Sequence, residues 1–82
     1  MEHELKILPT YASMHLRGVK PWELRKNDRD FKEGDYITFI VMYKGKEPTG
    51  MKYRRKIIDV FNGGAYGLDK EYCIITLSSI VY

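Results

Sequence analysis

The segment Tyr36-Ile-Thr-Phe-Ile-Val-Met-Tyr43 constrains this chain more than any other. It is rich in β-branched and aromatic residues on both faces, the composition of a strand. A strand apolar on both faces needs cover on both sides. A chain of 82 residues has material for a single core. The cover must therefore come from a sheet curled back on itself with a helix packed upon it. The expected architecture is α+β: a small antiparallel barrel of about five strands, with one short helix after the first strand. Closing the sheet would also remove edges that so small a domain could hardly cover otherwise.

The rest of the chain divides around that strand as one domain spanning residues 1–82. Residues 3 to 8, His-Glu-Leu-Lys-Ile-Leu, alternate polar and apolar and read as a strand. Pro9 suits the first turn of a helix, where its missing N–H costs nothing. Tyr11, Ala12, His15 and Leu16 recur at helical spacing, and Gly18 is a natural terminator. Trp22 to Arg25 read as a short strand, Lys26 to Asp30 as a loop, and Gly34-Asp35 as a turn. Gly45 to Gly50, with Pro48 inside it, reads as the next turn. Met51 to Phe61 is a long strand whose middle, Arg54-Arg55-Lys56, breaks the alternation, so a bulge, a bend or a departure from the sheet is expected there. Asn62-Gly63-Gly64 forms a tight turn before a last strand at Tyr72–Leu77, which Ser78 to Tyr82 could extend.

Several function classes are excluded by what is missing. The single cysteine, Cys73, cannot form an internal disulfide, and a reducing compartment follows. Within Tyr72-Cys73-Ile74-Ile75 it reads as a buried, inert thiol. The start, Met1-Glu2-His3-Glu4-Leu5, lacks the basic and apolar regions of a signal peptide, and no apolar run approaches the roughly 20 residues of a membrane span. A cytoplasmic protein without membrane attachment is expected. His3, His15 and Cys73 do not make a zinc set, so no metal is expected. Gly63-Gly64-Ala65-Tyr66-Gly67 lacks the Gly-Lys-Ser/Thr of a phosphate loop and reads as a turn, and no cofactor motif is present.

Net charge is +3, from 14 Lys and Arg against 11 Asp and Glu. The excess is small, but the cations are grouped. Arg17, Lys20, Arg25, Lys26, Arg29 and Lys32 form one stretch, and Lys44, Lys46, Lys52, Arg54, Arg55 and Lys56 another. Two such stretches can converge on one face and attract a polyanion, or simply solvate the surface. If Trp22–Arg25 is a strand, Glu23 and Arg25 point to one face and Trp22 and Leu24 to the other. Lys20 lies just past the helix, so Lys20, Glu23 and Arg25 can surround one spot at the helix–strand junction. A carboxylate there holds the cations and leaves guanidinium donors for a phosphate. The bland reading of the same residues is a structural ion pair.

Gly18, Lys20, Glu23 and Arg25 match the Gly-x-Lys-x-x-Glu-x-Arg signature of the ASCH domain, the activating signal cointegrator homology domain of the PUA-like superfamily. His3-Glu-Leu-Lys-Ile-Leu-Pro9, Glu23-Leu-Arg-Lys-Asn-Asp-Arg-Asp-Phe31, Gly34-Asp35 and Gly63-Gly64-x-Tyr-Gly-Leu68 resemble one small bacterial and phage subfamily of unknown function. The resemblance runs through nearly the whole chain in order. It implies a PUA-like barrel whose cleft is lined by Lys20, Glu23 and Arg25, with Asn27, Asp28 and Arg29 at the mouth, and a role in RNA binding. It also places His3 where a cleft role is conceivable. Some short ASCH-like proteins are amidohydrolases of acetylated cytidine that use a threonine nucleophile, a lysine and a glutamate. Their threonine lies three positions after the lysine, and here that position is Glu23. A carboxylate does not replace an activated hydroxyl in acyl transfer, although Lys20 beside Glu23 permits an acid–base role.

Trp22, Tyr43, Tyr53 and Tyr66 are the aromatics able to stack unpaired bases, against the commoner fate of burial. Alternation assigns Trp22 and Phe39 to the core, and His15 to a packed or surface position on the helix. Tyr66, in a glycine-rich loop, is the best stacking candidate. The leading expectation is thus a noncatalytic module that holds RNA or a nucleotide-like ligand through Lys20, Glu23, Arg25, Lys26, Asn27, Arg29 and Tyr66. The alternatives are a small nucleoside amidohydrolase acting through Lys20 and Glu23, and a protein-interaction domain. Nothing in the sequence sets the oligomeric state.

Overall fold

A computed structural model describes residues 1–44 and 46–79. Strand β1 (Glu2–Ile7) leads into helix α1 (Pro9–Leu16), followed by β2 (Trp22–Lys26), β3 (Tyr36–Tyr43), β4 (Glu47–Asn62) and β5 (Tyr72–Leu77). Pro9 opens the helix at its first turn, as expected, and Leu8 before it is extended. The chain leaves the helix through Gly18, whose φ of +72° strongly favours glycine.

The five strands form one sheet in the order β1-β3-β4-β5-β2. It is mixed, which corrects the expectation of a wholly antiparallel sheet. β1 and β3 run parallel, with Glu2 opposite Tyr36 and Ile7 opposite Val41. The reason is the crossover: α1 and β2 intervene, and a parallel neighbour requires a long connection of that kind. The other three pairings are antiparallel.

β4 serves both halves of the sheet. Its Lys52–Lys56 segment pairs with β3, and its Ile57–Asn62 segment pairs with β5. The register shifts between Ile57 and Asp59, just past the Arg54-Arg55-Lys56 interruption that the sequence marks. The bend expected there is this change of partner, and the basic triplet stays in the strand. The turn expected at Gly45–Gly50 is shorter, because Pro48 already pairs with Met42. That end of β4 has a neighbour on one side only, so the absent proline N–H breaks no ladder. β5 ends at Leu77, so Ser78 and Ser79 do not extend it as suggested; Gly45 and residues 80–82 lie outside the described residues.

Inward side chains alternate along each strand: Leu5 and Ile7 on β1, Ile37, Phe39 and Val41 on β3, Tyr53 and Ile57 on β4, and Cys73, Ile75 and Leu77 on β5. Ala12 of α1 and Phe31 complete this core. Phe39 is fully buried, as expected. Trp22 is not. It is 43% exposed and Leu24 is 48% exposed, whereas Glu23 between them is 6% exposed. β2 therefore turns its charged face inward, the reverse of the hydrophobic expectation. The register explains how: Glu23 lies opposite Ile75 and Arg25 opposite Cys73, both inward residues.

β1 and β2 are the two ends of the sheet, yet side chains connect them. Arg25 Nη2 donates to the Lys6 carbonyl at 2.7 Å, and Arg29 Nη1 to the Glu4 carbonyl at 2.8 Å. These guanidinium groups satisfy carbonyls that an edge strand otherwise leaves to solvent.

Candidate nucleotide-binding site

Glu23 is the hub of the polar interior. Its Oε1 lies 3.1 Å from Lys20 Nζ and 3.3 Å from His15 Nε2, and its Oε2 lies 2.7 Å from Arg25 Nε. Each partner comes from a different element. His15 is the buried polar residue of α1, facing Phe39 at 5.0 Å between ring centroids. Lys20 is fixed by its own backbone, whose N–H returns to the Met14 carbonyl at 3.2 Å. Arg25 follows Glu23 at the strand period of two, on the same face.

The network continues away from the carboxylate. His15 Nδ1 meets the Tyr53 hydroxyl at 2.7 Å, and His15 Nε2 meets the Trp22 carbonyl at 3.1 Å. Tyr53 is stacked on Phe39, with centroids 5.1 Å apart. Burial alone would push the Glu23 carboxyl up. The hydrogen bond from His15 and the charges of Arg25 and Lys20 outweigh it and hold Glu23 at about 2. Burial drives the Tyr53 hydroxyl well above its ordinary range, helped by the Glu23 charge.

The cluster opens onto a groove. One part, of about 340 Å³, is lined by Tyr11, Lys20, Trp22, Glu23 and Leu24. An adjoining part, of about 360 Å³, includes Tyr11, Glu23, Leu24, Arg25, Lys26 and Tyr72. Lys20 Nζ sits 4.5 Å from the Trp22 ring centroid and 5.0 Å from that of Tyr11, so the ammonium is held against two aromatic walls. The backbone contributes too. Leu77 N–H bonds to the Pro21 carbonyl and Asn27 N–H to that of Glu71, which sets the alternation along β2. Trp22, Leu24 and Lys26 thus turn their backbone groups away from β5 toward the free edge. Trp22 O is taken by His15. Among the described residues, no partner takes the N–H and C=O of Leu24, a residue that lines the groove.

The family profile described as Domain of unknown function (DUF3850) matches residues 2–77. The chain belongs to that family. A comparison with curated proteins gives no match. The matched span of this DUF3850 domain contains the whole cluster, from Tyr11 to Tyr72.

The structure gathers some of the sequence candidates and disperses others. Lys20, Glu23 and Arg25 converge on the groove, and Lys26 lines its far end. Arg25 and Arg29 spend donors on the carbonyls of β1, so they are less free for a phosphate than the sequence suggests. Asn27 is engaged structurally, donating to Asn62 Oδ1 and accepting from the Phe31 N–H. Asp28 lies beside Arg29. Tyr66 is 94% exposed, with its ring 6.2 Å from that of Phe61, and does not line either part of the groove. Tyr53 is buried and hydrogen-bonded, which removes it as a stacking surface. His3 belongs to a separate knot, 2.8 Å from Asp35 Oδ2 and edge-on to Phe31 at 4.8 Å. That hydrogen bond from His3 lowers the Asp35 carboxyl.

The two basic stretches meet only in part, where Arg55 lines one cavity with Arg17 and Lys20. Arg54 pairs with Glu2 and covers Tyr36, and Lys56 approaches the same ring. Arg55 alone of that triplet points inward. Sequence reasoning passed over Tyr11, took Tyr53 for a stacking aromatic, gave His15 only a packed or surface position, and counted Arg55 only within a basic stretch. The available signals were a histidine on the buried stripe of α1, and the period-two series Tyr53, Arg55, Ile57.

Proposed function

We propose that this chain is a noncatalytic RNA-binding domain of the ASCH and PUA-like kind, its curled sheet acting as a small barrel, with the groove beside Glu23 as its binding site. One observation carries the reading: two cations are locked by a single ionised carboxylate next to exposed aromatic walls, Tyr11 and Trp22. A structural ion pair does not need that open aromatic frame. Unpaired bases stack on such walls and are read along their edges, as in other single-strand binders. In this reading Trp22 takes the stacking role assigned to Tyr66. Lys20 and the remaining donors of Arg25 meet phosphate, Lys26 extends the path, and the Leu24 backbone offers one donor and one acceptor to a base edge. A reducing, cytoplasmic setting suits the lone buried Cys73.

The test is a titration against single-stranded RNA, duplex RNA and free nucleosides, with the native chain, Lys20→Ala and Trp22→Ala. Single-stranded RNA should bind with steep salt dependence, and Lys20→Ala should reduce the log–log slope by about 0.7 for one lost phosphate contact. Trp22→Ala should cost about 1–3 kcal/mol. Unchanged RNA affinity in both variants would remove the groove from the reading.

The 3.1 Å contact between Lys20 and Glu23 keeps a second reading in play, a nucleoside amidohydrolase. It ranks lower because a carboxyl held at about 2 has almost no acid form near neutrality and is a weak base. Deacetylation of acetylcytidine that is lost in Glu23→Ala would reverse this order.

A further inference from the structure

Arg55 is charged, 4% exposed and without a carboxylate. Among the described residues its hydrogen-bond acceptor is the Arg54 carbonyl, 2.9 Å from Nη1, and no Asp or Glu oxygen lies within ion-pair distance of it. A buried guanidinium normally has a partner, because taking a charge out of water unpaired is expensive. Yet no buried side-chain nitrogen among the described residues is both sealed and unpartnered. The remaining Arg55 donors must therefore face an open space, and one is present. A cavity of about 230 Å³ is lined by Arg55, His15, Arg17, Gly18 and Lys20, with Ser79 at its margin. Three cations border it. Lys20 is its common wall with the aromatic groove, since it lines both. Glu23 offsets Lys20, which it meets at 3.1 Å, but its oxygens are taken by Lys20, Arg25 and His15 and none is paired with Arg55.

We infer that this cavity is a phosphate pocket, with the Arg55 guanidinium as its principal ligand and Lys20 as the link to the base-binding groove. A guanidinium fork matches a phosphate in a way that a lone ammonium does not. The bound molecule is then a nucleotide, its base against Tyr11 and Trp22 and its phosphate on Arg55. This second step rests on the groove reading above, whereas the pocket itself stands on the burial of Arg55.

The experiment measures thermal unfolding and binding with three probes: inorganic phosphate, uridine and uridine 5′-monophosphate. It uses the native chain, Arg55→Met, Arg55→Lys, and Lys70→Met as a control for net charge on the β4–β5 loop. Inorganic phosphate at about ten times its dissociation constant should raise the native Tm by roughly 5–10 °C through mass action. The monophosphate should bind at least about tenfold tighter than uridine, the worth of one charged hydrogen bond. Arg55→Met should erase both effects while leaving its ligand-free Tm close to the native value, because the arginine holds no carboxylate among the described residues and turns its free donors to the cavity. Arg55→Lys keeps the charge without the fork and should bind phosphate weakly. Lys70→Met should respond to phosphate as the native chain does. A phosphate response retained in Arg55→Met overturns the pocket, and so does a ligand-free Arg55→Met that melts well below the native chain, which marks a structural arginine. Uridine binding without any phosphate response also overturns the pocket but spares the groove. Phosphate binding without uridine binding supports the pocket and sinks the groove.

Discussion

Glu23→Gln isolates the charge at the centre of the cluster. The Glu23 carboxyl moves from an ordinary 4.5 in the unfolded chain to about 2 in the folded one. Its side chain is 8% exposed, so solvent screening takes little from the effect. A displacement of that size corresponds to about 3 kcal/mol of folding stability at neutral pH. A domain of this length has a total stability of roughly 4–12 kcal/mol, so the variant should be weakened and still measurable. The sign follows from the depressed value. The stabilisation is complete above about 4.5 and disappears as pH falls through about 2.

The assay is urea unfolding of the native chain and Glu23→Gln across that window. Asp35, also lowered, titrates in acid and sits in the separate knot with His3. Both proteins carry it, so its contribution cancels in the difference between them. That difference should be about 3 kcal/mol near neutrality and should close toward zero at about pH 2. A difference that stays constant with pH would show that Glu23 stabilises by packing and not by its charge.

Three further outcomes follow from particular contacts. Tyr53→Phe leaves His15 Nδ1 without the hydroxyl at 2.7 Å and should cost about 1–3 kcal/mol in urea unfolding; no loss would mean that His15 is held by Glu23 and Trp22 alone. Gly63→Ala would place a Cβ 1.8 Å from the Asp69 carbonyl oxygen and 2.7 Å from that of Tyr72, so the β4–β5 loop must reopen; a native-like Tm would refute that geometry. The Cys73 thiol is fully buried and raised, first by burial and then by the Asp28 charge. It should react with a thiol reagent only at the rate of unfolding, and fast labelling of the native chain would contradict its placement.

Local pattern was enough for much of the framework. β3 and β5 have the bounds that their composition indicates, and the helix starts at Pro9 because proline at that position needs no local partner. The errors share a different origin. The alternation Trp22, Glu23, Leu24, Arg25 was legible as a strand, but which side faces inward was not. Besides Lys20 and Arg25, a buried Glu23 is made tolerable by His15, which arrives from α1 and is itself held by Tyr53 of β4, thirty residues beyond Glu23. Hydrophobicity alone then favours the wrong face. The parallel pairing of β1 with β3 was hidden for the same reason, since it depends on where the crossover deposits the chain. At the site, Lys20, Glu23 and Arg25 were legible through their spacing. Tyr66 satisfied every local rule for a stacking residue, and only the assembled lining of the groove leaves it out.

The two charges flanking Tyr53 make opposite demands, and this separates framework from site. Glu23 is compensated on every side, so its removal should destabilise the fold. Arg55 lies 5.0 Å from the Tyr53 ring, and a contact of that kind is worth about 0.5–2 kcal/mol. The effective penalty for an ion buried in a protein is several kcal/mol. The ring and the hydrogen bond from Nη1 to the Arg54 carbonyl together approach that penalty, and the remaining donors face the cavity, so Arg55→Met should be close to neutral without ligand. A loss in Glu23→Gln with none in Arg55→Met would show that the polar interior holds one network that maintains the fold and one cation reserved for an anion. Equal losses in both would make the whole interior a structural salt-bridge array, and the cavity beside Arg55 would then have no ligand to explain.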